Sequence, residues 1–561
     1  MQARLWLASV RHTHRRQLAA RLGLTIKRKA LEAVPALGDA RAVVPAGKLP
    51  PLAPDPPPPV FPARSEVAEL RGGRWRARFL GHDHAITPPV TWEGFDLPHG
   101  TPLGRLTVHY MEFLEGVDDT AFGAIVADWI ARNPPYRKGY WKAAWNAYAV
   151  SIRTVVWMQQ WVARRFDATL ASRVRILGSL ARQLAFLERN LETDIGGNHI
   201  LKNAKALLWA GRFFSGEAAE RWCALGRELL AREVEAQLLP DGMHFERSPA
   251  YHAQVTADLL ESWAVHPEGA EREKLADAVT RAAQALSDLT HPDGTPSLFN
   301  DGALHMTYPP AVILDAVERH LRLRPDARGV FALDAAGYYG ARGPDTLVLV
   351  DCGAIGPDHL PAHAHGDVLS FEWSAGGRRV IVDTGVLEYN AGPARARSRS
   401  TSAHNTLTLD DHDQAEFWSA FRVGRRPRVA VDRFETRPDG FVLEGRHDGY
   451  AGMRGAPRHV RRFDVSSRTI RVEDRVEGGA GQRACARLLL APGLDCVRDD
   501  RGLVIACDGV GVRLQTTAAV SVVAAPYWPD FGVEIPVRQI VLDYGTAPCA
   551  GGFALEWTAS P

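Results

Sequence analysis

Closely spaced cysteines are missing from this chain. Its six cysteines, Cys223, Cys352, Cys485, Cys496, Cys507 and Cys549, make no CxxC or other compact ligand pair, so neither a zinc knuckle nor a disulfide framework is indicated. A strong charge imbalance is missing as well: a net charge of +2 over 561 residues argues against general nucleic-acid affinity. No stretch approaches the roughly 20 apolar residues needed to span a bilayer, so no transmembrane segment is expected. Nor is a secretory signal visible. The first 29 residues carry eight Lys or Arg and no acid, but the longest apolar piece, LWLASV, falls short of the ~7–15 residues of a signal-peptide core. The start reads as a basic, partly helical extension, with a membrane-surface helix as the alternative. Between Pro50 and Pro62, eight of 13 residues are proline, which makes a stiff linker or a strap laid over the surface.

What is present divides into two halves of different periodicity. From about Thr101 to Arg322, segments such as WKAAWNAYAVSIRTVVWMQQWVARRF, RVRILGSLARQLAFLERNL, HILKNAKALLWAGRFF and ERWCALGRELLAREVEAQL repeat apolar residues at helical spacing. Connections with Gly, Pro or Asp, as in TDIGGN and LPDGMHF, fit paired helices packed side by side, as in an incomplete α/α toroid. No strict repeat supports the toroid, which rests on helix count. From about Gly329 the pattern changes to short β-branched runs between Gly, Asp and Pro, including TLVLVDCG, DVLSFEWS, RRVIVDTG and RTIRVEDRVEG. These runs read as an antiparallel β-sandwich, with TLVLV buried on both faces and RTIRVEDRV half exposed. The expected class is therefore α+β multidomain: a basic extension and Pro-rich linker over 1–63, a toroid over 64–328 and a sandwich over 329–561.

The most informative cluster lies in the second half, in PAHAHGDVLSFEW and the runs that follow. On an alternating strand His363 and His365 would share a face. Asp383 closes RRVIVD, the expected hairpin partner of DVLSFEW across Gly376-Gly377, and His404 opens HNTLTLD, a third strand. Imidazoles and a carboxylate from neighbouring strands are a zinc-type donor set. Asp367 competes as the carboxylate, although a strand-start Asp suits a turn equally well.

Two loops of the helical half add chemistry. GGNHILKN places Asn198 and His199 at a helix start, where Asn198 could equally be an N-cap and His199 a packing residue. LPDGMHFERSPAYH supplies His244, Glu246, Tyr251 and His252, with Ser248-Pro249 as a cap and first-turn pair. Tyr251 falls in the first turn, a position open to a cleft or to the core.

The segments GNHILKNAKAL, DGMHFERSPAYH, DGTPSLFNDG, HAHGDVLSFEW, VIVDTGVLEYN and RSTSAHNTLTLD, in this order, resemble the heparinase II/III-like polysaccharide lyases and the related alginate lyases. The resemblance implies β-elimination on a uronate-containing acidic polysaccharide or oligosaccharide. It implies that Asn198 and His363 neutralise the uronate carboxylate, that Tyr251 is the general acid and, for syn elimination, also the base, and that His199 is the alternative base. A basic tyrosine requires a lowered pKa. By the same resemblance His365, Asp383 and His404 hold a structural zinc, His363 is reserved for catalysis, Glu246, Arg399 and Tyr450 bind substrate, and a homodimer is open. Well-known members are exported to the periplasm, whereas the start of this chain shows no signal, so periplasm and cytoplasm both stay open. Two other readings remain. A glycoside hydrolase would draw two carboxylates from Glu246, Asp241 and Asp301, and a non-catalytic glycan-binding protein would keep only the fold.

Overall fold

The computed structural model describes residues 11–42, 49–92, 102–166, 169–326, 328–500, 502–507 and 510–559. They form two compact units. One holds His14–Gln237 and Ala257–Val279; the other holds residues 11–13, Leu238–Thr256 and the chain from Thr280 onward. The stretch 280–328 therefore clusters with the sheets, and the compact units do not follow the single change of periodicity near residue 329.

In the first unit the expected periodicity forms helices Asp119–Arg132, Ala147–Ala163, Leu170–Arg189, Asn198–Phe213 and Glu217–Gln237. Side-chain caps set three of the starts: Asp118, Asn146 and Thr169 accept from the backbone N–H of Ala121, Tyr148 and Ser172. Because Asn146 caps, the WKAAW stretch before it is not helical as its pattern suggested; it holds only a 3₁₀ turn at Tyr140–Lys142. Every residue from Ala147 to Trp161 is buried, which makes this the central helix of its unit. Asn198–Phe213 and Glu217–Gln237 meet backbone to backbone at two glycines. A Cβ at Gly226 would stand 2.7 Å from the Leu208 nitrogen, and one at Gly211 would stand 2.8 Å from the Ala219 carbonyl oxygen.

The same unit buries a closed set of charges. Lys202 Nζ lies 3.0 and 2.8 Å from the two Asp258 oxygens, and Lys205 Nζ lies 2.7 Å from Asp258 Oδ1 and 2.5 Å from Glu261 Oε2. Gln159 also donates to Glu261 at 2.7 Å. The Pro-rich segment is a strap rather than a free linker. Ala53 N–H donates to the Phe213 carbonyl at 2.9 Å and Ser215 N–H to that of Pro51 at 2.8 Å, pinning it across a helix end. Within the basic extension, helix Arg15–Ala33 is held by Gln17 and Arg21, which donate to the carbonyls of Ile195 and Asp194. Residues 1–10 and 43–48 of that extension lie outside the described residues. Among the described residues no helix is long and apolar enough to cross a membrane.

Among the described residues the second unit carries four antiparallel sheets, the smallest a two-stranded one of Phe417–Ser419 and Arg422–Val423. A five-stranded meander runs Val330–Leu333, Tyr338–Arg342, Leu347–Asp351, Phe371–Ala375 and Arg378–Ile381 in order. An eight-stranded sheet includes Arg458–Val465, Thr469–Glu477 and Cys549–Ala559, and a four-stranded one includes Leu407–Leu409 and Arg483–Leu489. Phe371 of the meander packs against Phe463 and Phe553 of the large sheet, at ring separations of 5.9 and 6.3 Å, to form the core of a sandwich. Leu347–Asp351 is buried throughout, whereas Thr469–Glu477 alternates buried and exposed, as the charge pattern of the two runs predicts. A helical N-terminal part followed by antiparallel sheets is the expected fold class.

Candidate active site and metal centre

In the helical unit Gly197, not Asn198, occupies the N-cap, in a left-handed φ of 59° that favours glycine, and Asn198 is the first helical residue. Asn198 is buried. His199, one residue on, keeps 30% of its side chain exposed. Its Nδ1 faces Glu192 Oε1 at 3.0 Å and its ring lies 4.3 Å from that of Tyr148. Asn203 secures Glu192 twice, donating to its carboxylate at 3.1 Å and accepting its backbone N–H at 2.9 Å. A carboxylate opposite Nδ1 makes that nitrogen the donor and gives Nε2 the acceptor role. Glu192 and Tyr148 carry no motif and were not singled out from sequence.

In the sheet-bearing unit the Ser248-Pro249 start performs as expected. Ser248 Oγ accepts from Tyr251 N–H at 3.1 Å, and helix Pro249–Val265 begins there, setting Tyr251 in the first turn. His252 is a core histidine, with Nε2 on the Ala282 carbonyl at 2.9 Å and Nδ1 accepting His244 N–H at 3.2 Å. The Tyr251 ring lies against that of His363, 4.2 Å between centroids, and its hydroxyl is 3.0 Å from that of Tyr389. Burial, with the nearby charges of Asp301 and Glu246, pushes the Tyr251 phenol well up. That is opposite to the lowered value a basic tyrosine requires, so the resting phenol is protonated.

His363 sits between two carboxylates: Nδ1 is 2.8 Å from Asp301 Oδ2 and Nε2 is 3.2 Å from Glu246 Oε2. Asp301 also meets His365 Nε2 at 2.8 Å and the Arg395 guanidinium along both oxygens. Burial opposes its ionisation, but Arg395 and the two imidazoles outweigh burial and hold the Asp301 carboxyl well below the usual range. The two histidines do not alternate on a strand, as their spacing suggested. Residues 361–370 form a loop, with strand structure beginning only at Phe371. Partners from elsewhere in the chain satisfy the loop backbone: Asn300 Oδ1 accepts from His365 N–H at 3.0 Å and the Arg399 carbonyl accepts from Gly366 N–H at 3.0 Å. His404 likewise precedes its strand, Leu407–Leu409, instead of opening it.

His365, Asp383 and His404 nevertheless converge. Their candidate ligand atoms all lie within 4.8 Å of one another and all three residues are buried. His365 Nδ1 and His404 Nε2 are buried without a hydrogen-bond partner, as is Asp367 Oδ1. Buried polar atoms are rarely left so. Burial drives the His365 pKa down to about 3, leaving the neutral imidazole that ligates metals, whereas for His404 the Asp383 carboxylate 2.8 Å from Nδ1 outweighs burial and raises the pKa. The donor set therefore fits a divalent cation such as zinc.

Two substrate-binding expectations are corrected. Arg399 is buried and donates to the carbonyls of Ala364, Ser419 and Ala420 at 2.9, 2.8 and 3.1 Å, so it braces loops instead of facing a ligand. Tyr450 is 1% exposed and its hydroxyl donates to the Leu407 carbonyl at 2.7 Å, a core role. Glu246 is buried against His363. The pairing needed by a hydrolase is also unsupported: Asp301 is saturated by Arg395 and two histidines, and Asp241 accepts the backbone N–H of Met243 and Ala336.

Models of the heparinase II/III N-terminus and of the heparinase II/III-like C-terminal domain match residues 118–327 and 325–557. The chain belongs to the heparinase II/III-like family. Among curated relatives, a heparin-sulfate lyase from Bacteroides thetaiotaomicron is 25% identical over 333 residues, 51% of this chain and 47% of the relative. One from Pedobacter heparinus is 28% identical over 272 residues, 44% and 40%. The chain thus spans about half the length, or less, of these relatives. FtsZ-localized protein C from Caulobacter vibrioides is 29% identical over 426 residues, covering 70% of each chain. Among solved structures, heparinase III matches with a TM-score of 0.69 at 18% identity, over 84% of this chain and 79% of that one. The heparan sulfate lyase HepC of Pedobacter heparinus matches at 0.59 and 19%, over 97% and 88%. At these identities the structural likeness supports the fold.

Proposed function

We propose that the protein is a polysaccharide lyase that cleaves a uronate-containing acidic glycan by β-elimination, the substrate being heparin- or heparan-like, alginate-like or a bacterial exopolysaccharide. The observation that carries this reading is the Tyr251–His363 pair. A phenol kept protonated by burial lies against an imidazole whose Nδ1 is held by Asp301 at 2.8 Å, its Nε2 lying 3.2 Å from Glu246. In the reaction a base removes the C5 proton, its electron pair forms the C4–C5 double bond, the C4–O bond breaks, and an acid protonates the departing oxygen. Tyr251 suits the acid role. His199, whose Nδ1 faces Glu192, is the better matched of the two candidate bases. Asn198 and His363 are assigned to the substrate carboxylate, where each donor stabilises developing negative charge.

The set His365, Asp383 and His404 is assigned to one zinc with a structural role. Bound there, it would tie the loop carrying His363 to the segments around Asp383 and His404. The test is turnover on heparin, heparan sulfate, chondroitin, hyaluronan, alginate and bacterial exopolysaccharides. An unsaturated, ultraviolet-absorbing end should form without consumption of water, and Tyr251→Phe should abolish it while glycan binding persists. Saturated products would point to hydrolysis instead. A second reading comes from the 70% coverage shared with FtsZ-localized protein C, which exceeds that of the lyases: a protein placed by FtsZ. Co-sedimentation with FtsZ polymers, together with no turnover on any glycan of the panel, would favour it.

A further inference from the structure

We propose that Asp301 is a positioning residue that makes the orientation of His363 depend on metal occupancy at His365. This rests on the lyase and zinc assignments above. Asp301 is wholly buried and is shared between two histidines with different duties. Its Oδ2 faces His363 Nδ1 and its Oδ1 faces His365 Nε2, each at 2.8 Å. The Arg395 guanidinium spans the same two oxygens, with Nη2 2.8 Å from Oδ2. Arg395 is itself buried and lies 5.0 Å from the centre of the Tyr389 ring.

Each carboxylate oxygen therefore serves one imidazole and one guanidinium nitrogen, and both oxygens belong to one rigid plane. Neither ring can turn without disturbing the carboxylate that holds the other. The surrounding backbone allows little compensation: Asp301 N–H donates to the His363 carbonyl at 3.0 Å, Ser248 Oγ donates to the Asp301 carbonyl, and Asn300 N–H donates to Asp367 Oδ2 at 2.9 Å. The remaining ring nitrogen of His365, Nδ1, is buried and has no partner. A cation on that nitrogen would fix the His365 ring, as outer carboxylates and metals jointly fix ligating histidines. The fixed ring sets the Asp301 plane, and that plane sets His363. If Asp301 merely neutralised Arg395, the metal would reach His363 only through the loop backbone that His363 and His365 share, and stripping would act alike on the wild type and on a protein lacking the carboxylate.

The test uses the full chain, wild type and Asp301→Asn, each zinc-loaded and chelator-stripped, with circular dichroism to confirm folding. Asp301→Asn should weaken zinc in competition with a chromogenic chelator by about 10–100-fold. It should lower kcat while KM stays within about twofold. Stripping should lower kcat in the wild type but lower it no further in Asp301→Asn, since the route is already cut. Unchanged zinc affinity in the variant, or an equal effect of stripping on both proteins, would overturn the proposal. If Asp301→Asn does not fold, Asp301→Glu, which keeps the charge but moves the carboxylate, takes its place: stripping should lower its kcat less than that of the wild type, and an equal effect on both overturns the proposal. Failure of the lyase reading looks different. It gives no unsaturated product from the zinc-loaded wild type, and the zinc competition then decides whether Asp301 holds His365.

Discussion

Two buried polar clusters, one in each unit, show how similar groups serve different ends. In the helical unit Lys202, Lys205, Asp258 and Glu261 satisfy one another. In the sheet-bearing unit His365, Asp383 and His404 meet with equal burial but leave His365 Nδ1 and His404 Nε2 without partners. Burial is common to both clusters and so says nothing about function. Closure is what differs: the first cluster is complete as protein, whereas in the second His404 Nδ1 meets Asp383 at 2.8 Å and two ring nitrogens are left over. Paired buried charges are weak contributors to net stability yet costly to break, while orphaned nitrogens are retained where a ligand meets them.

The largest effect that would test this contrast is on stability. Asp258→Ala strands two buried ammonium groups with only Glu261 to share, and should cost about 3–5 kcal/mol in chemical denaturation while leaving zinc content unaltered. A loss below about 1 kcal/mol would mean that water already reaches the cluster. Next comes ligand-linked stabilisation: zinc at about 100 times its Kd should raise unfolding free energy by about 2.7 kcal/mol in the wild type, and His404→Ala should remove that gain. If both proteins respond alike, the open cluster is not the binding site. A smaller change is expected from Tyr389→Phe, which deletes the hydroxyl 3.0 Å from Tyr251. Its cost should be about 1 kcal/mol in stability, with kcat reduced severalfold.

The smallest expected effect is an absence of change with pH. Burial raises the pKa of Tyr251, so its protonated form, the acid, persists below that raised value. No alkaline loss of kcat should therefore be seen below about pH 10, the ordinary tyrosine value. A descending limb near neutrality would show that another group supplies the proton.

Much of this was legible in the sequence, and the reasons differ by residue. Helical spacing and the shift to short β-branched runs reflect burial on one face or two, a property each segment carries alone, so element type could be read directly. The Ser248-Pro249 start is local in the same way. Strand structure at His363 and His365 was wrongly expected because alternation is also consistent with a loop whose backbone is satisfied from Asn300 and Arg399, residues distant in sequence. Donor type and the expected hairpin suggested that His365, Asp383 and His404 lie close, but choosing these three over His363 and Asp367 came from the family resemblance. Arg399 and Tyr450 misled because charge and aromaticity do not say whether a side chain turns inward. Asp301 was visible as a carboxylate in FNDG, but its four partners come from three other segments, and Arg395, Tyr389 and Glu192 have no local signature at all.

The split membership of the sheet-bearing unit carries a consequence for biosynthesis. Glu246, Ser248 and Tyr251 leave the ribosome well before the sandwich that they join, and the chain between Ala257 and Val279 belongs to the other unit. The Ser248–Asp301 and Arg395–Asp301 links close loops of 53 and 94 residues, so this part of the molecule has high contact order and must wait for late-made strands. A fragment beginning at residue 329 would contain the sandwich and the three zinc-ligand candidates but neither Asp301 nor Tyr251. During synthesis the helical unit can condense early around its central helix, while Tyr251 must wait for the later-made segment that carries His363 before the two can become neighbours.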